Sequence, residues 1–117
     1  FAQTLARQFA PVLQELGSAQ MLEFGAGTGA LAHELIAALE CGACHVIPGV
    51  PGAWSHVGPP LKDYKQNVYV AGRYPNTPEV LIRFVQDAPS MSPNTAMPAF
   101  EMTQAQARDI VAYLYSL

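Results

Sequence analysis

The sequence predicts a mainly α protein: one small helical domain with an extra N-terminal segment of helical or strand-like character. Three observations predict it. Apolar residues recur at helical spacing in four stretches, and two of these open on residues suited to capping a helix. Nine of the ten prolines fall after residue 40, so regular structure is expected first and a loop-rich region after it, until the C-terminus. Half of the 117 residues are hydrophobic and 13% are charged, which excludes wholesale disorder and fits a single domain.

In the first stretch Leu5, Phe9, Val12, Leu13 and Leu16 share a helical face and Gly17 supplies the stop, while Pro11 is expected to kink or split the helix. Gln20–Phe24 then reads as a strand with no partner strand in the chain. Such an apolar edge is an association hazard, so a homodimer through the N-terminal segment is a candidate arrangement. The second helix is expected over residues 29–40, with Leu31, Leu35, Ile36 and Leu39 on one face and Gly29, Ala32 and Ala37 allowing close approach. Residues 45–76 are rich in Gly and Pro, and a loop of that length in a compact domain needs something else to organise it. For the third helix Thr77 is the N-cap and Pro78 suits the first position; Leu81, Ile82 and Val85 face inward, and the helix reaches about Gln86. The fourth opens on a T-x-x-Q capping box, Thr103 and Gln106, followed by Ile110, Val111, Tyr113, Leu114 and Leu117. Leu35, Ile36 or Leu39 of the second helix are expected to pack on Ile110, Tyr113 and Leu114.

Charge and hydropathy exclude several functions. The net charge is −3 and the pI about 5.4, so no nucleic-acid surface is expected. The imbalance is local: residues 1–40 hold one basic and four acidic residues, residues 41–117 five of each. No run of apolar residues is long enough to span a membrane. The chain opens on Phe1, and a start methionine and any leader are expected to lie outside it.

The organiser of the long loop is expected to be covalent. Cys41, Cys44 and His45 spell C-G-A-C-H and contain the only two cysteines. Residues i, i+3 and i+4 share one face of a helical turn. Two thiols so placed can add to the two vinyl groups along one edge of a haem, and the following imidazole is carried beneath the ring to ligate iron. The alternatives are a redox disulfide or half a zinc site. Zinc wants four ligands, and only His33 and His56 remain to complete them. A thioredoxin-like motif wants a βαβ setting that the loop-rich sequence after Cys44 does not supply. A six-coordinate iron needs a second axial ligand, from Met21, Met91, Met97, Met102, His33 and His56. Met97 is favoured because Pro98 stiffens an extended N-T-A-M-P segment just before the last helix. A thioether also favours reduced iron. Met91 is the rival; Met21 and Met102 read as core fillers.

Residues 41–117 resemble a small bacterial class I cytochrome c. The resemblance rests on C-G-A-C-H, on G-P-P-L at Gly58–Leu61, on A-G-R-Y-P-N-T-P-E at Ala71–Glu79, on T-A-M-P at Thr95–Pro98 and on the final A-R-D-I-V-A-Y-L helix. It implies a class I cytochrome c-like helical fold around one covalently bound haem c per chain. It also implies that the Pro59 carbonyl accepts the His45 Nδ1 proton, and that Tyr64, Arg73 and Trp54 lie near the haem edge. The function implied is single-electron carriage by outer-sphere transfer through a His45/Met97-ligated iron, in the periplasm, with redox proteins as partners and no enzymatic activity. A haem sensor or peroxidase-like protein with an open sixth site is the alternative.

Met21–Ala32, M-L-E-F-G-A-G-T-G-A-L-A, resembles something different: the first nucleotide-binding motif of S-adenosylmethionine-dependent methyltransferases, with Gly25, Gly27 and Gly29 allowing backbone approach and Glu23 nearby. A parallel sheet needs several strands and crossovers, and only one βα unit precedes the haem motif, so no methyltransferase site can be completed. The chain therefore reads as chimera-like, a recombinant without a physiological task being the bland extreme of that reading. Residues 1–28 are expected to be an appendage, and residues 29–117 a cytochrome c domain with a borrowed helix at 29–40.

Overall fold

The computed structural model describes residues 30–117. The first helix candidate with Pro11, the strand-like Gln20–Phe24, most of the methyltransferase-like run and the expected homodimer contact lie outside the described residues.

Helix α1 (Ala30–Ala38) occupies the place of the second expected helix. Its buried line runs through Ala32 and Ile36, with Leu35 and Leu39 packed against the core. Leu31, at the edge of that face, is 41% exposed. Ala37 falls on the solvent side, one residue round the helix from Ile36, so it does not serve the close approach expected of it. The helix stops because Glu40 takes a left-handed conformation, φ 55°, which costs a residue with a Cβ about 1–2 kcal/mol. The chain then passes at once into a 3₁₀ turn, Cys41–Ala43.

Residues 45–76 carry more order than their composition suggests. Val46 and Trp54 form an antiparallel bridge, closing a loop with turns at Ile47–Val50 and Val50–Ala53. A second 3₁₀ turn spans Tyr64–Gln66. Strands β1 (Tyr69–Val70) and β2 (Tyr74–Pro75) then pair antiparallel, Val70 facing Tyr74. Ala71 and Gly72 both have positive φ, and Arg73 N–H donates to the Val70 carbonyl, the tight turn whose twist suits a hairpin.

Helix α2 (Pro78–Gln86) has the bounds its caps predict: Thr77 Oγ1 accepts from Val80 N–H, and Pro78 sits in the first turn. A four-residue helix α3 (Ala88–Met91), absent from the sequence reading, follows with Asp87 as its cap. Helix α4 (Gln104–Ser116) opens on a complete capping box, Gln106 N–H to Thr103 Oγ1 at 3.2 Å and Thr103 N–H to Gln106 Oε1 at 2.8 Å.

Helices α2 and α4 pack most extensively, and their buried residues Leu81, Val85, Ile110, Val111 and Leu114 share one core with Ile36, Ile47, Val50 and Val70. Tyr113 packs on that core, and α1 meets α4 through it: the His33 ring stands edge-on to Tyr113 at 4.7 Å, and the Tyr113 hydroxyl donates to the Pro48 carbonyl. His33 Nε2 is buried there without a hydrogen-bond partner. Asn76 ties three elements together. Its side-chain amide donates to the Tyr64 and Asn67 carbonyls, and its oxygen accepts from the Tyr115 hydroxyl of α4.

Candidate functional site

The turn after α1 sets the site. Cys44 N–H and His45 N–H both donate to the Cys41 carbonyl, at 3.2 and 3.0 Å. That is one helical turn, so positions 41, 44 and 45 share a face as their spacing predicts. Cys41 is half-buried and Cys44 exposed, and no disulfide joins them. Burial pushes the Cys41 thiol above its ordinary range; a hydrogen bond to its own backbone opposes this, and the neighbouring Cys44 adds to it.

His45 is oriented by the segment that follows the Val46–Trp54 bridge. Its Nδ1 lies 2.7 Å from the Pro59 carbonyl oxygen. A carbonyl only accepts, so the proton is held on Nδ1 and Nε2 keeps its lone pair for a metal. The carbonyl is itself well fixed. The Pro59 ring sets its own φ, and Pro60 restricts the residue before it to an extended conformation.

Gly58 completes the cradle. Its N–H donates to the Cys44 carbonyl at 2.6 Å, bringing the backbone flat against the imidazole. A Cβ there would stand 2.5 Å from His45 Cε1 and 2.8 Å from Nδ1, distances side chains do not tolerate. Gly58→Ala is therefore expected to push the ring off the Pro59 carbonyl and to cost about 1–3 kcal/mol, the range for overpacking a fitted site. Thermal unfolding measures this, and a midpoint equal to the unsubstituted protein's would show that the glycine is not required.

Met97 sits in a loop closed at its base by the Asp87–Ala99 bridge and by Phe100 N–H donating to the Gln86 carbonyl. It is half-buried, and its N–H donates to Thr95 Oγ1 at 3.1 Å. Met91 ends α3 in the same loop, and its carbonyl accepts from the Tyr74 hydroxyl. Met102 packs against the core, the place expected of a filler; Met21 lies outside the described residues.

The three remaining expected contacts are spread over other elements. Trp54 is joined by its backbone to Val46, the residue after His45, and its side chain is 67% exposed. Arg73 is exposed at the hairpin turn. Tyr64 is buried in the core edge-on to Tyr115, and burial, with Tyr115 adding to it, pushes its phenol up to about 12. The structure thus brings together Cys41, Cys44, His45 and Pro59 with Trp54 alongside, and places Tyr64 and Arg73 on the following turn and hairpin.

Sequence reasoning quoted Gly58 and Tyr74 only within family-like strings. The signal for Gly58 is a glycine directly before a proline pair. For Tyr74 no local signal exists, because its partner lies 17 residues on.

The donor set fits a covalently attached haem: two thiols and an imidazole on one turn, with the imidazole tautomer already set for ligation. Among the described residues no group of three or more His, Cys, Asp and Glu side chains is placed to hold a metal ion. No described helix is long and apolar enough to cross a membrane.

A family model described as Cytochrome c matches residues 30–117. The match takes in α1, the helix expected to belong to the cytochrome c domain as a borrowed element, and nothing found supports a methyltransferase-like segment or a chimeric join. Comparison with curated proteins and with solved structures returned no significant match.

Proposed function

The chain belongs to the cytochrome c family, whose members carry covalently attached haem c, and from that premise we propose that it is a mono-haem carrier of single electrons. The observation that carries this reading is the His45 imidazole, tied at Nδ1 to the Pro59 carbonyl with Nε2 free, on the same turn as both cysteines. Bound haem iron would supply a one-electron couple.

Everything else falls to the chain's own residues. Cys41 and Cys44 would hold the group by thioether bonds, and His45 would ligate iron on one side. Met97 would ligate on the other, its soft sulfur stabilising the reduced metal and raising the potential. Met97 rather than Met91 is assigned because Pro98 follows it and Thr95 fixes its backbone N–H. Trp54 and Arg73 would stand at the haem edge. Trp54 is supported there by its backbone bridge beside His45, and Arg73 by the family resemblance of its hairpin. With His45 and Met97 both serving as ligands, the iron would be left no position for a substrate, and the chain would act as an outer-sphere carrier rather than an enzyme. Covalent attachment in the bacterial proteins it resembles takes place outside the cytoplasm, so the proposed setting is the periplasm and the proposed partners are other redox proteins.

The test is a ferric spectrum with voltammetry on the purified holoprotein. The reading expects the weak long-wavelength methionine-to-iron charge-transfer band and a reversible one-electron wave. A high-spin spectrum without that band would favour an open sixth site and a sensor or peroxidase-like role.

A further inference from the structure

The loop that presents Met97 is closed at its base by main-chain bonds between Gln86–Asp87 and Ala99–Phe100. Within it, Ser90 N–H donates to Asp87 Oδ1, Ser92 N–H to the Ala88 carbonyl and Thr95 N–H to the Ser92 carbonyl. These bonds all join residues within the loop itself. One side chain from elsewhere in the fold reaches in. The Tyr74 hydroxyl, on β2, donates to the Met91 carbonyl at 2.5 Å.

We propose that Tyr74 is a positioning residue that selects Met97 over Met91 as the iron ligand and sets how firmly that ligand is held. This rests on the His45/Met97 reading above. A main-chain carbonyl bound to the hairpin fixes the position from which the Met91 side chain departs, limiting where its sulfur can reach. The same bond divides the loop into two shorter arms, so the arm bearing Met97 has fewer conformations available when the sulfur leaves the metal. Shorter flexible spans have less entropy to gain on release. Without the hydroxyl, Met97 dissociates more readily and Met91 becomes free to compete.

The test is Tyr74→Phe in the haem-loaded protein, with Tyr115→Phe as control. Tyr115→Phe removes a hydroxyl bond to Asn76, outside this loop. Imidazole, an exogenous ligand that must displace the methionine, is titrated into the ferric proteins and read from the visible spectrum. Tyr74→Phe is expected to bind imidazole roughly 2-fold more tightly, the change in closure entropy when one longer span replaces two shorter arms. Tyr115→Phe is expected to bind it as the unsubstituted protein does, although both variants lower the thermal midpoint. Equal imidazole affinity in Tyr74→Phe and the parent would overturn the proposal. Equally raised affinity in both variants would overturn it too, by showing general loosening. A methionine-to-iron band in the parent separates this failure from failure of the ligation reading; its absence there would sink both.

Discussion

Replacing Cys41 and Cys44 together with alanine is expected to yield a chain that retains no haem through purification and loses most of its native helicity. The described residues build a thin core. Its largest fully buried side chains are Ile36, Ile47 and Val70, with no aromatic ring among them, while Trp54, Val57, Val68 and Tyr69 remain exposed. A domain of this size seldom gathers enough apolar burial by itself and depends on a staple or a bound group. Total stability of a folded domain is only about 5–15 kcal/mol, so losing a covalently held apolar body removes a large share of it. The local elements offer little to compensate. Helix α1 has nine residues and α3 four, lengths at which an isolated helix does not persist in water. Far-UV circular dichroism of the double variant measures the effect, and full native helicity without haem would contradict it.

Met97→Ala is expected to have the second-largest effect, on the metal rather than on the fold. Loss of the thioether removes the ligand that favours reduced iron, and the midpoint potential should fall by on the order of 100 mV or more, within the wide range that axial ligands control. The methionine-to-iron band should vanish, and small exogenous ligands should bind without a competitor. Met91→Ala is the matched comparison. Its carbonyl still accepts from Tyr74 after substitution, because that bond involves the backbone. It should keep both the band and the potential. If Met91→Ala loses the band while Met97→Ala keeps it, the ligand assignment is reversed.

How much could be read from residues alone depended on whether the signal was contiguous. The C-G-A-C-H turn was legible because its chemistry sits within five consecutive positions and needs only helical spacing. Helices α2 and α4 were legible to within a residue because Thr77, Pro78, Thr103 and Gln106 mark their starts with bonds made inside a single turn. The hairpin was not seen, since two-residue strands are too short for a period-two pattern to emerge. Helix α3 was missed for a similar reason, although Asp87 followed two residues later by Pro89 carries a start signal. Helix α1 was legible as part of the same domain, and the family match begins at residue 30; the methyltransferase origin that the glycine-rich run before it suggested finds no support. His33 counted only as a candidate ligand by residue type, whereas its ring meets Tyr113 of a helix 80 positions on. Contacts such as this one, or Tyr74 to Met91, depend on which side chains the fold brings together, and no local pattern encodes them.

The most direct measurement is an intact-mass determination of the purified holoprotein paired with a reduced-minus-oxidised visible spectrum. The account expects the polypeptide mass increased by one haem that survives denaturation, together with the sharp absorption bands of a low-spin reduced c-type centre. A colourless protein at the bare polypeptide mass, with Cys41 and Cys44 free or joined to each other, would contradict it.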